Sequence, residues 1–307
     1  MKRFLAVSAI LCTIFLSGCT DIRHRKYADV LAIRTADSDT VSAMLRCDND
    51  KDWISASPDT ALLFQPALET AGGIQFSTGH LSLLILQGDS LSPVQQLLRD
   101  GWVAPNCPLL LCDPSEDIRS VGDEKLSDQQ KAAVENGLLP EIGVGELVGN
   151  LESRTGMALL HYHSNNHFSL ALHNGTTLLA VLSNDACRGA ALLTDRWGDF
   201  GFSEISGGLT ETILLDSCRI RFRIQQDSEN RLIIRTIVRL SLRTGDPALA
   251  AQGATRMLQA FFRETATDFG ADVCYLEEAA RRCGITVPSA QQWREMLRNA
   301  AFEILIE

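Results

Sequence analysis

Between Cys218 and Arg243 two segments, CRIRFRI (218–224) and RLIIRTIVRLSLR (231–243), alternate apolar and polar residues on either side of the turn-forming DSEN. Successive strand side chains point to opposite faces, so this alternation specifies a long antiparallel hairpin with one buried face. Cys218, Ile220, Phe222 and Ile224 belong to the apolar face, with Leu232, Ile234, Val238 and Leu240 across the turn. The other face carries Arg219, Arg221, Arg223, Arg231, Arg235, Arg239 and Arg243. Like charges on paired strands oppose one another, by a few tenths of a kcal/mol (~0.2–0.5) per opposed pair, and the only acids close in sequence, Asp227 and Glu229, sit in the turn. The apolar face needs a cover. Ala254, Met257, Leu258, Phe261, Phe262 and Phe269 recur at helical spacing and supply an amphipathic stripe for it. Ser289 and Gln292 cap a last helix bearing Trp293, Met296 and Leu297, and FEILIE closes the chain as an alternating strand.

Upstream, HLSLLILQ reads as a buried strand, Ser92-Pro93-Val94-Gln95 as a helix start with Ser92 as N-cap, and PLLLC as the next strand. Ser127 with Gln130 forms a second capping pair, for a helix that Gly137 ends. DVLAI (29–33) is the first strand. The class is α+β and multi-domain: mixed sheets with packed helices, and a C-terminal antiparallel hairpin sheet covered by amphipathic helices. The expected division is 29–155 for an N-terminal α+β domain and 156–307 for a C-terminal α+β region with room for two subdomains.

The first residues, MKRFLAVSAILCTIFLSGC, pair Lys2 and Arg3 with an apolar run from Phe4 to Leu16 that is short for a membrane span. Leu16-Ser17-Gly18-Cys19 matches a lipobox. Residues 1–18 are then a signal peptide and Cys19 is a lipidated N-terminus carrying covalent diacylglycerol, with 19–28 as a polar tether. Two acyl chains, at about 0.8 kcal/mol per buried CH₂, hold a protein stably on a bilayer. Loss of the leader takes the formal net charge from −10 to −12, which argues against nucleic acid as a partner. The 45% of hydrophobic residues suffice for real cores. Beyond Cys12 and Cys19 stand Cys47, Cys107, Cys112, Cys187, Cys218, Cys274 and Cys283, an odd, scattered set with no C-x-x-C; small buried hydrophobes fit it better than a disulfide framework or zinc ribbon.

Three stretches invite chemistry. GDSL (88–91) spells an esterase nucleophile motif after a strand, with Ser90 as its serine, but the last histidine is His173 and no downstream His is available to activate it. HYHSNNH (161–167) sets His161 and His163 on one strand face, and His167 could return across Ser-Asn-Asn, giving weak candidates for a metal without a fourth ligand. Gly143-x-Gly145-x-x-x-Gly149 has the wrong spacing for a dinucleotide loop and reads as loop and helix packing. No catalytic residues and no cofactor other than the lipid are expected.

GHLSLLILQGDSLSPVQQLLRDGWV (79–103) resembles a segment of the Ger(x)C spore germination lipoproteins in which a Gly-His-Leu strand leads to a helix ending Leu-Leu-Arg-Asp. Cys19-Thr20-Asp21 followed by Leu31-Ala32-Ile33 is similar to the family's mature start, with Thr20 in place of tryptophan. RGAALLTDRWGDF (188–200) resembles its Gly-Ala-containing strand and turn, and ADVCYLEEAARR with Trp293 its C-terminal Asp-containing helix and tryptophan. The resemblance implies a divergent member: a non-enzymatic C subunit of a nutrient germinant receptor. It would be held by its lipid anchor on the outer face of the cytoplasmic membrane, at the spore inner membrane, beside polytopic membrane subunits. The arginine face itself reads in two ways: a solvated face or one neutralised by acids folded in from elsewhere, or a partner-binding surface for an acidic face of another subunit or for anionic headgroups, since guanidinium forks pair with carboxylate and phosphate. The alternative class is a solute- or metal-binding lipoprotein of a transport system.

Overall fold

The computed structural model describes residues 25–36, 40–47, 52–57, 63–88, 90–121, 124–153, 156–175, 177–194, 200–206, 208–287 and 289–307. The lipobox and Cys19 lie outside the described residues, as does Asp89 of the GDSL stretch.

The first sheet is mixed. At its centre β1 (Arg25–Ala36), β5 (Leu83–Gln87), β6 (Leu109–Cys112) and β7 (Met157–Ser164) run parallel. Antiparallel strands extend both sides: β2 (Thr40–Cys47) and β3 (Trp53–Ala56) beyond β1, β8 (His167–Asn174) and β9 (Thr177–Val181) beyond β7. Every residue of β5 and β6 is buried, as expected where parallel strands are covered on both faces. Leu84 and Leu86 pack on one side with α1 (Phe64–Gly72), α2 (Ser92–Arg99) and α5 (Val144–Glu152). Leu83 and Ile85 pack on the other with Ile118 of α3 (Ile118–Val121) and Leu126 of α4 (Glu124–Glu135).

The second sheet has the order β10 (Gly201–Ser206), β11 (Leu209–Gln226), β12 (Leu232–Thr244), β13 (Ala301–Ile306). The expected hairpin is β11–β12, and β13 joins it parallel to β12 rather than antiparallel. Helix α7 (Pro247–Phe262) covers the apolar face, with Ala254, Met257, Leu258, Phe261 and Phe262 buried. Its start lies upstream of the apolar stripe: Asp246 Oδ1 accepts the Ala248 and Leu249 amides at 2.7 and 3.0 Å, with Pro247 in the first turn.

Several expectations are corrected. Residues 25–28 are not tether but strand, because Arg25, Lys26 and Tyr27 pair in parallel with Gln75, Phe76 and Ser77 of β4 (Gln75–Ser77). The division drawn at 155/156 falls within the first sheet, since β7, β8 and β9 continue it, and the change of sheet comes between Val181 and Gly201. Helix α2 starts at Ser92, so Ser92 is not the N-cap; Ser90 Oγ accepts the Ser92 amide at 3.3 Å instead. Helix α4 begins at Glu124, so Ser127 is inside it, and Gln130 is buried and bonded elsewhere.

The Gly-Ala segment is helix α6 (Asn184–Leu193), not a strand. Its small residues form a seam against α7: a Cβ on Gly189 would sit 2.4 Å from the Met257 carbonyl oxygen and 2.8 Å from Phe261 Cβ. Close helix approach therefore decides that segment's composition. Ser289 does cap α9 (Ala290–Arg298), accepting the Gln292 amide at 3.2 Å, and Gly137 ends α4 in the left-handed region.

Candidate partner interface

The registers of β11 and β12 set the arginine face. Arg219 lies opposite Arg239, Arg223 opposite Arg235, and Arg221 opposite Ile237, so two like-charged pairs meet directly. Relief comes from the far end of the chain. Parallel pairing puts Glu303 beside Arg235, and they bond at 2.5 Å; Glu307 takes Arg239 at 2.7 Å. Arg243 stands 3.8 Å from Asp216, and Arg231 donates to the Asn299 carbonyl at 2.6 Å. The neutralising acids thus include two that sequence proximity did not reveal.

Arg219, Arg221 and Arg223 differ from these. All three are exposed, and among the described residues none has a carboxylate partner. With Ile237, Arg239 and Glu307 they line a cleft of about 70 Å³. Only Leu209–Leu214 of β11 pairs with β10; no described strand pairs with the outer edge beyond it. Residues two apart on a strand are separated by about 6.7 Å, so the three arginine side chains leave the same face of β11 at that spacing. Planar guanidinium forks match carboxylate and phosphate oxygens.

The other candidates are placed apart from this face. Neutral His161 is held on both ring nitrogens: Nε2 donates to the Pro140 carbonyl at 2.6 Å, and Nδ1 accepts from Gln130 Nε2 at 2.7 Å. The carbonyl can only accept, which fixes the proton on Nε2. Burial brings this imidazole down to about 4. His163 is buried edge-on to Phe168, with ring centroids 5.3 Å apart. Burial lowers its pKa too, against the pull of Glu116. His167 pairs with Ser164 across a two-residue turn whose Asn165 and Asn166 are left-handed. That pairing sends His167 to the face opposite His161 and His163, so the three imidazoles do not converge. Among the described residues no three His, Cys, Asp or Glu side chains form a metal-holding group. Ser90 serves the start of α2. The seven cysteines named above are free thiols, five of them buried, and burial pushes Cys107, Cys112 and Cys187 up to about 12. Gly143 and Gly145 fit closely against Pro105 and Asn106, as loop and helix packing requires.

One polar centre was only half legible. Buried Asp272 accepts the Leu276 and Glu277 amides at 2.7 and 2.6 Å, opening α8 (Leu276–Arg282), and also Trp293 Nε1 at 3.0 Å. Burial raises the Asp272 pKa, while these bonds hold it down. The carboxylate ties two helices together beneath the hairpin, where Trp293, Leu276 and Ile234 share a core.

No protein-family model matches the sequence, and no curated protein sequence matches it. Among solved structures, the crystal structure of the GerBC protein matches with a TM-score of 0.56, over 90% of this chain and 95% of that one, at 10% identity. The two chains share an α+β fold across nearly their whole lengths. No described helix is long and apolar enough to cross a membrane.

Proposed function

We propose that the chain is a C-type subunit of a spore nutrient germinant receptor, non-enzymatic, lipid-anchored through Cys19, and acting by protein–protein contact with polytopic membrane subunits. The observation that carries this reading is the fold shared with GerBC over 90% of the chain. The lipobox at Leu16–Cys19 and the ordered sequence resemblances support it independently. The row formed by Arg219, Arg221 and Arg223 is the docking surface in this reading, and its counterpart is an acidic surface of a partner subunit. Arg235 and Arg239 are poor probes of it, because reversing them would set Glu beside Glu303 and Glu307.

The test is co-purification of the other receptor subunits from spore inner membranes with wild-type protein and with an Arg219→Glu, Arg221→Glu, Arg223→Glu triple variant. Loss of the partners from the variant, with an unchanged melting curve, is the expected result. Full retention refutes the docking face. Absence of receptor subunits from the wild-type preparation refutes the receptor reading itself.

A further inference from the structure

Where the turn between β11 and β12 meets α9, a cleft of about 760 Å³ opens on the surface. Four charged side chains line it, two of each sign: Glu229 and Arg231 from the turn, Glu295 and Arg298 from α9. Among the described residues none of the four makes an ion pair. Leu232 and Met296 add apolar surface.

Both kinds of charge are held in place. Asp227 Oδ1 accepts the Glu229 and Arg231 amides at 2.9 Å, which builds the turn. Arg231 Nε donates to the Asn299 carbonyl at 2.6 Å. That bond fixes the guanidinium in the cleft and leaves its two terminal nitrogens without a partner among the described residues. A guanidinium so placed offers a planar fork to a carboxylate. Arg298 is less available, since its Nη2 donates to the Phe269 carbonyl at 3.3 Å. Glu295 Oε1 accepts from Gln291 Nε2 at 3.3 Å, and its other oxygen has no donor among the described residues. It stands in the last turn of α9, where the helix dipole also favours a cation.

Sign and spacing together narrow the occupant. The four charges balance, so a ligand of one sign is attracted by two groups and repelled by two, whereas a ligand carrying both signs satisfies both. Glu295 and Asn299 are four residues apart, about 6 Å along the helix axis, and the Glu295 side chain leans further toward the N-terminus. The ammonium and carboxylate of a free amino acid leave one carbon and do not span that distance. The two ends of an extended peptide of two or three residues, at about 3.3–3.6 Å per residue, do. The volume agrees, because sites of about 300–1,000 Å³ take molecules larger than one amino acid.

We infer that this cleft binds a short peptide by its two free ends, the terminal carboxylate on Arg231, the terminal ammonium at Glu295, and an apolar side chain against Leu232 and Met296. Neither the receptor reading nor the row of Arg219, Arg221 and Arg223 is needed for this.

The experiment uses the full chain labelled with ¹³C-methyl methionine. Met296 lines the cleft, whereas the other described methionines, Met44, Met157 and Met257, pack in the cores; Met296→Leu assigns the reporting signal. The probe is the tripeptide Gly-Leu-Gly, titrated at neutral pH beside its N-acetyl form, its C-terminal amide and free leucine. Gly-Leu-Gly should shift the Met296 methyl saturably and leave the others in place. Each comparison compound should bind about fivefold more weakly, the loss expected for one exposed charge contact. Arg231→Gln should bring Gly-Leu-Gly down to the affinity of its amide, and Glu295→Gln down to that of its N-acetyl form. Both side chains are exposed, and the free and blocked peptides on wild type decide the matter even if a variant misfolds. No saturable shift at Met296, or blocked peptides or free leucine that bind as tightly as Gly-Leu-Gly, or undiminished binding by both variants, overturns the inference.

Discussion

Acid should unfold this protein partly through His161. Its ring is 2% exposed, and both nitrogens are committed to the neutral Nε2–H form. A proton added at Nδ1 would face the Gln130 amide donor inside a closed core. The folded chain therefore resists protonation down to about 4, whereas the unfolded chain takes the proton near the ordinary histidine value of about 6.5. Between these limits the unfolded state binds more protons, so the stability due to neutral His161 is complete above about pH 6.5 and falls as the pH drops through 4. At about 1.4 kcal/mol per pH unit the whole effect is on the order of 3 kcal/mol. The assay is urea unfolding, followed by tryptophan fluorescence, of wild type and His161→Gln at half-unit steps from pH 7.5 to 4. Carboxylates and the other histidines titrate in both proteins, and their contributions cancel in the difference to the extent that they do not couple to His161. Wild type should lose about 3 kcal/mol relative to the variant over this range. Parallel curves would refute the reasoning, as would an imidazole that titrates near 6.5 in the folded chain.

Gly189→Ala should destabilise by about 1–3 kcal/mol through overpacking against α7, despite the better helix propensity of alanine. Gly149→Ala, with nothing within 4 Å of the new methyl, should instead stabilise by about 0.5–1 kcal/mol; thermal melts of the two variants must move in opposite directions. Asp272→Ala strands two amides and the Trp293 indole, at about 1–3 kcal/mol each. Relief of a buried carboxylate offsets part of that, for a net loss on the order of 3 kcal/mol and a shifted tryptophan emission; a variant as stable as wild type would remove Asp272 as the tie between helices. Cys19→Ala should leave unprocessed or released protein, and mass spectrometry of wild type should find diacylglycerol on residue 19; a mature chain starting elsewhere without lipid rules the anchor out.

What the sequence made legible was local and periodic. The hairpin and α7 were readable because alternation and helical spacing are each written within one element, and Ser289 capped its helix for the same reason. What it hid was long-range or degenerate. Glu303 and Glu307 reach Arg235 and Arg239 from 68 residues away, and only the parallel placement of β13 puts them there. The small residues of 188–191 fit a strand as readily as a helix until α7 is laid against Gly189. Gln130 looked like a capping partner for Ser127 because the spacing fits; it is instead the group that fixes His161, 31 residues along the chain. The Ser90–Ser92 ambiguity is a shift of two residues at one helix start, where competing side-chain acceptors are chemically alike.

The arginine row takes its meaning from sheet order. Strand β13 attaches to β12, so its two acids lie beside the arginines of that strand and leave those of β11 one strand further off. Strand β10 ends its pairing at Leu214, before the row begins. Charges on an exposed strand edge discourage edge-to-edge aggregation, and one or two suffice for that. Three in succession, two of them directly opposed by Arg235 and Arg239, exceed what edge protection requires and add repulsion that the described carboxylates do not cancel at β11. In the proposed docking reading an outside surface would bring the missing carboxylates to arginines that leave the strand about 6.7 Å apart. In that proposed reading the counter-surface would screen both opposed pairs at once, so docking would also strengthen the hairpin.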